Sequence, residues 1–264
     1  MKLQEKSRIR HFLFSEIALA ALLVSLLSVT PGSASTPGRL LIQRCQALGS
    51  AEVMYCPSAV RIVTKQTGCI ILASAPSWAV TIYNPQNHAC FRCLRSGEFA
   101  DQYFGAAGML YKAKFNELRS SAAENISLLG APATHITYKS TAKFGKAARK
   151  VMRKELLASS AEFWVGKDKL VPPPAAALLE DLYRLPKENG VPLRFDWLDA
   201  KEHSHLRLTT AVFKAVDCDR AMCELPKGLR LVKKAAEVVL SEGDLKEMIQ
   251  DLNAGDHPSE IEKR

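Results

Sequence analysis

Between residues 53 and 94 the chain reads Val53-Met54-Tyr55-Cys56, Ala59-Val60-Arg61-Ile62-Val63-Thr64, Cys69-Ile70-Ile71-Leu72-Ala73, Ala79-Val80-Thr81-Ile82-Tyr83 and His88-Ala89-Cys90-Phe91-Arg92-Cys93-Leu94. These runs are rich in β-branched and aromatic side chains, which suit a pleated, half-buried surface. The breaks between them are Pro57-Ser58, Gln66-Thr67-Gly68, Ala75-Pro76-Ser77 and Asn84-Pro85-Gln86-Asn87, all turn-forming. Strands roughly ten residues apart with such breaks predict an antiparallel meander. Val60 and Ile62 share a face, as do Ile70 and Leu72, and Trp78, Val80 and Ile82. Arg61, Lys65 and Thr81 fall on the other, so the expectation is one dry face and one wet face.

Outward from this block the pattern varies. Arg39 to Leu48 reads as a short amphipathic helix ended by Gly49, and Phe115 to Ala123 has helical character. Gly97 to Ser121 is ambiguous around Gly105-Ala106-Ala107-Gly108. Ile126–Leu129, Thr134–Tyr138, Glu162–Val165, Val191–Leu198, His205–Val216 and Met222–Leu225 read as strands, with two more at Gly228–Val232 and Glu237–Leu240. Pro172-Pro173-Pro174 opens a helix through Tyr183, because proline suits a first turn, and Pro186 ends it. Glu242 to Leu252 is a C-terminal helix capped by Ser241, and the tail to Arg264 is polar. No internal repeat stands out. About ten short strands and a few helices without βαβ alternation give an α+β fold, an antiparallel sheet with helices against one face.

The chain has 264 residues, 47% of them hydrophobic and 24% charged, which excludes a disordered or collagen-like chain. Residues 1–35 read as a secretory signal: Lys2, Lys6, Arg8 and Arg10 precede an uncharged apolar run from Ile17 to Val29. Small residues follow, with cleavage expected after Ala34 or Ser35. The alternative, a membrane anchor, needs about 20 apolar residues, more than this run supplies. Cleavage takes the net charge from +9 to about +7. The expected product is soluble and periplasmic or extracellular, with anionic lipid headgroups or polyanions as plausible neighbours. All seven cysteines lie beyond the signal, where export allows disulfides, and an odd count leaves at least one thiol or an intermolecular bond. Cys218–Cys223 is the expected local pair. Cys90-x-x-Cys93 sits in a strand pattern, so its two side chains are expected on opposite faces.

Lys143, Lys146, Arg149, Lys150, Arg153 and Lys154 cluster with no acid before Glu155. A helix over Thr141–Leu157 would set most of them opposite Phe144, Ala148, Val151 and Met152. Such a basic amphipathic helix suits an anionic membrane surface or a partner; it would equally serve as a solvated loop or pack its apolar face on the sheet. His203-Ser204-His205 puts two imidazoles at strand spacing, but without a third fixed ligand no metal is assigned, and no cofactor is implied. Asn125-Ile126-Ser127 fits an N-glycosylation acceptor. The chain has no Gly-x-Ser-x-Gly, no His-Glu-x-x-His and no phosphate-cradling loop, so no catalytic residue is named. Nucleic acid is not an expected partner.

The order of the meander, then Glu162-Phe163-Trp164-Val165, Leu182-Tyr183-Arg184-Leu185-Pro186, Gly190-Val191-Pro192-Leu193-Arg194, Leu208-Thr209-Thr210 and Glu224-Leu225-Pro226-Lys227-Gly228-Leu229, resembles the outer-membrane lipoprotein-sorting (LolA/LolB-like) superfamily. The resemblance spans roughly Glu52 to Val232. It implies a curved antiparallel half-barrel over residues 36–241, with helices packed in its concave face and residues 139–157 as a basic amphipathic insertion. Residues 242–264 are expected as a C-terminal helix and frayed tail. It also implies a non-catalytic binding protein, a carrier or sensor of lipid or lipoprotein acyl chains. An envelope protein-interaction module without a lipid ligand is the alternative, and an enzyme is a third. No ligand residue is implied at any one position.

Overall fold

A computed structural model describes residues 35–113, 115, 117–141 and 157–239. All but Ser35 fall in the unit that begins at Thr36. The strands are β1 (Thr36–Cys45), β2 (Gly49–Cys56), β3 (Ala59–Thr64), β4 (Ile70–Ser74), β5 (Val80–Tyr83) and β6 (Ala89–Cys93). After α1 (Ser96–Ala113) come β7 (Leu118–Leu128), β8 (Ala131–Ser140) and β9 (Ala158–Gly166). Then follow α2 (Pro173–Tyr183), β10 (Val191–Asp199), β11 (Ser204–Cys218), a 3-10 turn (Arg220–Cys223), β12 (Arg230–Leu231) and α3 (Ala236–Val239). The 12 strands form one open sheet in the order β12-β6-β5-β4-β3-β2-β1-β11-β10-β9-β8-β7. Every pair is antiparallel except β12 on β6. The fold is the α+β half-barrel that the sequence resemblance implies, open rather than closed.

The inner face is built by register. Leu41, Val53, Ile62, Ile71, Ile82 and Phe91 stand opposite one another across six strands, all buried. Cross-strand neighbours of this kind are the unit of sheet stabilisation. α1 and α2 supply the other half of the core. Phe99 stacks on Phe91 at 6.4 Å between ring centroids, and Leu178, Leu179, Leu182 and Tyr183 of α2 are buried. Ile70 and Leu72 do share a face, but it is the outer one: Leu72 lies between Arg61 and Thr81, and Ile70 packs with Tyr83 and Cys90. β4 is therefore apolar on both faces, and the simple dry-and-wet alternation fails there.

Successive turns of the meander repeat every ten residues. Gly68, Trp78 and His88 each have φ between 51° and 65°, the left-handed region. One residue earlier, the side chains of Thr67, Ser77 and Asn87 accept hydrogen bonds from the N–H groups of Cys69, Ala79 and Ala89. Short polar side chains that bond two residues onward stabilise such turns locally. The sequence hides this repeat because Gly, Trp and His occupy one structural position. α3 docks on the last of these turns: the Val238 carbonyl accepts from the side-chain amides of Asn84 and Asn87, both at 3.3 Å.

Several expectations change in three dimensions. Arg39–Cys45 is strand, not helix, since its buried residues are Leu41, Gln43 and Cys45, a period of two. The polar Gln43 at an inward position disguised that alternation. The segment from Leu118 is strand rather than helix, Met222 lies in a 3-10 turn, and Glu237–Val239 is helical. α2 ends at Arg184, which takes φ 56° and donates its N–H to the Asp181 carbonyl, two residues before Pro186. Cys90 and Cys93 do lie on opposite faces, Cys93 in the main core and Cys90 beside Ile70 and Tyr83.

The disulfide is Cys56–Cys218, not Cys218–Cys223. Because β1 lies between β2 and β11, register brings the end of β2 and the end of β11 to one margin of the sheet. Strand pairing thus outweighs the short loop that favoured the local pair. Cys223 remains a thiol, its Sγ 3.6 Å from that of Cys56. Proteolysis under non-reducing conditions should release one linked species containing Cys56 and Cys218. Removing the bond with Cys218→Ala should cost about 2–5 kcal/mol in a urea titration. A predominant Cys218–Cys223 peptide would contradict the register.

Candidate functional site

The concave face begins with a polar side chain where an apolar one is expected. Gln43 points inward from β1, beside a β-bulge where β11 carries an extra residue. Its Nε2 donates to the Pro192 carbonyl at 2.7 Å and to Thr210 Oγ1 at 2.9 Å. Its Oε1 accepts from the Tyr183 hydroxyl at 2.7 Å, and Thr210 in turn donates to the Leu193 carbonyl at 2.6 Å. Buried Arg207 donates from Nε to the Tyr183 carbonyl at 3.2 Å and from Nη1 to Gln46 at 3.3 Å. One network therefore ties the C-terminal end of α2 to β1, β10 and β11. Burial drives the Tyr183 phenol well up, so it stays a donor at any ordinary pH.

The same helix holds the loop that follows it. Glu180 is buried, and its Oε1 accepts the Glu188 N–H at 2.8 Å. Burial raises its carboxyl, opposed by hydrogen bonds from the N–H groups of Glu188, Asn189 and Gly190 and by the charge of Lys187. The Tyr138 hydroxyl, pushed up by burial and then by the carboxylate beside it, donates to Glu188. Gly190 passes so close to β9 that a Cβ there would lie 2.3 Å from Val165 Cγ1. On its other flank α2 meets α1 through Ser96–Asp181 at 2.6 Å and Arg184–Asp101 at 2.6 Å.

With the centre filled, open space remains on either side of the first turns of α2. The larger cleft, about 750 Å³, lies between the concave face of β7–β9 and the Pro173–Ala176 turn. Ala123, Ile136, Val165, Val171, Ala176 and Val191 supply its apolar surface, and Lys167, Lys169 and Glu188 lie at its rim. The strap between β9 and α2 is fastened at one margin of the sheet and near its middle: Lys167 Nζ donates to Asn125 Oδ1 on β7 at 2.8 Å, and Asp168 pairs with Arg39 on β1. The smaller cleft, about 510 Å³, lies on the other side against Trp78, Val80, Leu94 and Leu178.

No family model matches the chain, and no curated protein matches it. Solved structures are similar to it. One is a conserved protein of Thermus thermophilus, 14% identical, covering 76% of this chain and 93% of that one at a TM-score of 0.32. A second is an outer membrane lipoprotein-sorting protein domain from Vibrio parahaemolyticus, 10% identical over 81% and 91% of the two chains at 0.27. A third is a LolA superfamily protein from Nitrosomonas europaea, 8% identical over 66% and 68% at 0.20.

The sequence motifs fall elsewhere. Lys143, Lys146, Arg149, Lys150, Arg153 and Lys154 lie outside the described residues, in the connection that leaves β8 at Ser140 and returns to β9 at Ala158. His203 and His205 both approach Asp199 Oδ2, each at 3.2 Å. Asp199 Oδ1 accepts the N–H groups of Lys201 and His203, so this carboxylate ties the β10–β11 turn together. Burial alone would raise Asp199; the hydrogen bonds from His203, His205 and Lys201 outweigh it and hold the carboxyl well below the usual range. Among the described residues, no group of three or more His, Cys, Asp or Glu side chains is placed to hold a metal. Asn125 lies on the exposed β7, held by Lys167.

Gln43, Lys167, Asp168 and Glu188 were not singled out from sequence. The one available signal was a lone Gln in the alternating run Leu41-x-Gln43-x-Cys45, readable only once that run is taken as a strand. Tyr183→Phe, which strands the Gln43 carbonyl oxygen, should lower unfolding free energy by about 1–3 kcal/mol. Gln43→Ala should cost a similar amount, and the double variant less than the sum, in matched urea titrations. Full additivity would mean the two side chains do not act together.

Proposed function

We propose that the chain is an exported, non-catalytic binding protein that holds acyl chains of lipids or lipoproteins, as a carrier or sensor in the cell envelope. The observation that carries this reading is the cleft beside α2. Its volume of about 750 Å³ lies in the range of small-molecule sites, and its walls are largely apolar. Burying about eight methylenes there would contribute roughly 6 kcal/mol. Arg39 neutralises Asp168, so Lys167 and Lys169 face the single carboxylate of Glu188 and leave a net positive charge for an anionic headgroup at the rim. The sequence resemblance points the same way, and so does the basic, apolar, small-residue order of residues 1–35, which supports export. Among the described residues, no helix is long and apolar enough to cross a membrane.

One feature favours a second reading, an envelope module that binds a partner protein and no lipid. The middle of the half-barrel is filled by the buried side chains Leu178, Leu179, Leu182 and Tyr183 rather than left open for a ligand. Native mass spectrometry of protein purified from its exported compartment separates the two. The acyl reading expects a co-purifying lipid or acylated peptide, or a mass gain on adding fatty acid. Ala123→Trp, placed at an exposed cleft position, should weaken fatty-acid binding at least about tenfold, a loss of 1.4 kcal/mol or more, without lowering thermal stability. A clean apo mass that no acyl probe changes would sink the carrier reading in favour of the partner-binding one.

In this proposal Lys143, Lys146, Arg149, Lys150, Arg153 and Lys154 guide the protein to anionic membranes, each contributing about 1 kcal/mol near the surface. Replacing all six with Gln should cut co-sedimentation with phosphatidylglycerol vesicles at least about tenfold at low salt. Equal sedimentation of the two proteins would remove that role.

A further inference from the structure

The two ends of the sheet are unlike. One ends in β12, two residues long and parallel to β6. The other ends in β7, which is 11 residues long and pairs with β8 on one side. Among the described residues, no strand pairs with its other side. A long edge presents a row of backbone N–H and C=O groups, and proteins ordinarily blunt it with proline, lysine or very short strands. β7 has no proline and no lysine, and its one register irregularity lies between Ser120 and Ala122, so Ala122–Leu128 pairs without interruption. Ser120, Ser121, Ala122 and Ala123 are small and exposed, which leaves the main chain open to approach.

This edge is also the lip of the larger cleft. Ser120 and Ala123 line it, and Ala123 stands opposite Ile136, which lines it too. In a strand pair, residues directly opposite each other project to the same face. A chain added outside β7 would therefore extend the concave wall, and its residue opposite Ala123 would project on the cleft side. We infer that the site takes an acylated peptide rather than a free lipid, with the acyl chain in the cleft and the adjoining peptide extended along β7 as an added strand. The inference rests on the acyl-binding reading above. β7 carries only Arg119 and Glu124 as charges, so recognition is by main chain, with little demand on peptide sequence.

The test uses the mature protein and three probes: palmitate, a palmitoylated hexapeptide, and the same lipopeptide with alternate amides N-methylated. Affinities are read by titration and β7 amides by hydrogen exchange. The lipopeptide should bind at least about tenfold tighter than palmitate, the yield of two or so added main-chain hydrogen bonds. It should slow exchange in Leu118–Leu128, palmitate should not, and N-methylation should abolish both gains. Palmitate and lipopeptide binding equally, with β7 unprotected, would overturn the peptide pairing and leave the acyl reading standing. Failure of every probe to bind would overturn both. Outward β7 amides already protected without ligand would overturn the pairing in favour of a second copy or another segment of this chain.

Discussion

The placement of α2 depends on one buried amide. Gln43 lies in the floor of the half-barrel, where its donors and its acceptor must all be matched or the core pays the full desolvation penalty. Tyr183, Thr210 and the Pro192 carbonyl meet that demand together, and only one position of α2 brings the Tyr183 hydroxyl to Gln43. Apolar contacts between α2 and the sheet could be made at several offsets. The hydrogen bonds select one, and Arg207 reaching the Tyr183 carbonyl reinforces it.

From that placement the site follows. With its C-terminal end fixed by Gln43 and its following loop fixed by Glu180, α2 fills the centre of the concave face, and the two clefts of about 750 and 510 Å³ lie beside its first turns. The three prolines at 172–174 make that end stiff without a side-chain cap, and Pro172 itself stands at the N-cap with extended φ and ψ. The strap from Lys167 to Val171 then runs between Asn125 at one margin and Arg39 near the middle of the sheet. An apolar cleft with a cationic rim at an open sheet edge is the result. The chemistry available there is apolar burial, rim electrostatics and main-chain pairing.

The half-barrel itself has a more local origin. The meander turns are self-sufficient: Thr67, Ser77 and Asn87 close them through bonds to residues two positions on, and the strands between are short enough that register carries from one turn to the next. α3 then covers the last of those turns through Asn84 and Asn87. Non-local pairing joins the two halves of the sheet at β1 with β11, where residues about 170 apart in sequence meet, and sets the short β12 on β6 at the far end. The Cys56–Cys218 bond lies at the same margin, one strand removed from that junction.

The sequence by itself determined the antiparallel meander over 53–94, the proline-led helix α2, most of the later strands and the α+β class. Those features rest on turn chemistry and side-chain alternation, which act within a few residues. It misread Arg39–Cys45 and the segment after Leu118, because an inward Gln and a run of small polar residues erase the period of two. It placed Ile70 and Leu72 inside, because β4 is apolar on both faces and the pattern cannot say which face is in. Only tertiary structure decided the cysteine pairing, the filling of the concave centre and the cleft, since each depends on which distant strands become neighbours. Strand order brings Gln43 to Tyr183, Cys56 to Cys218 and Ala123 to Ala176, separations that no local spacing encodes.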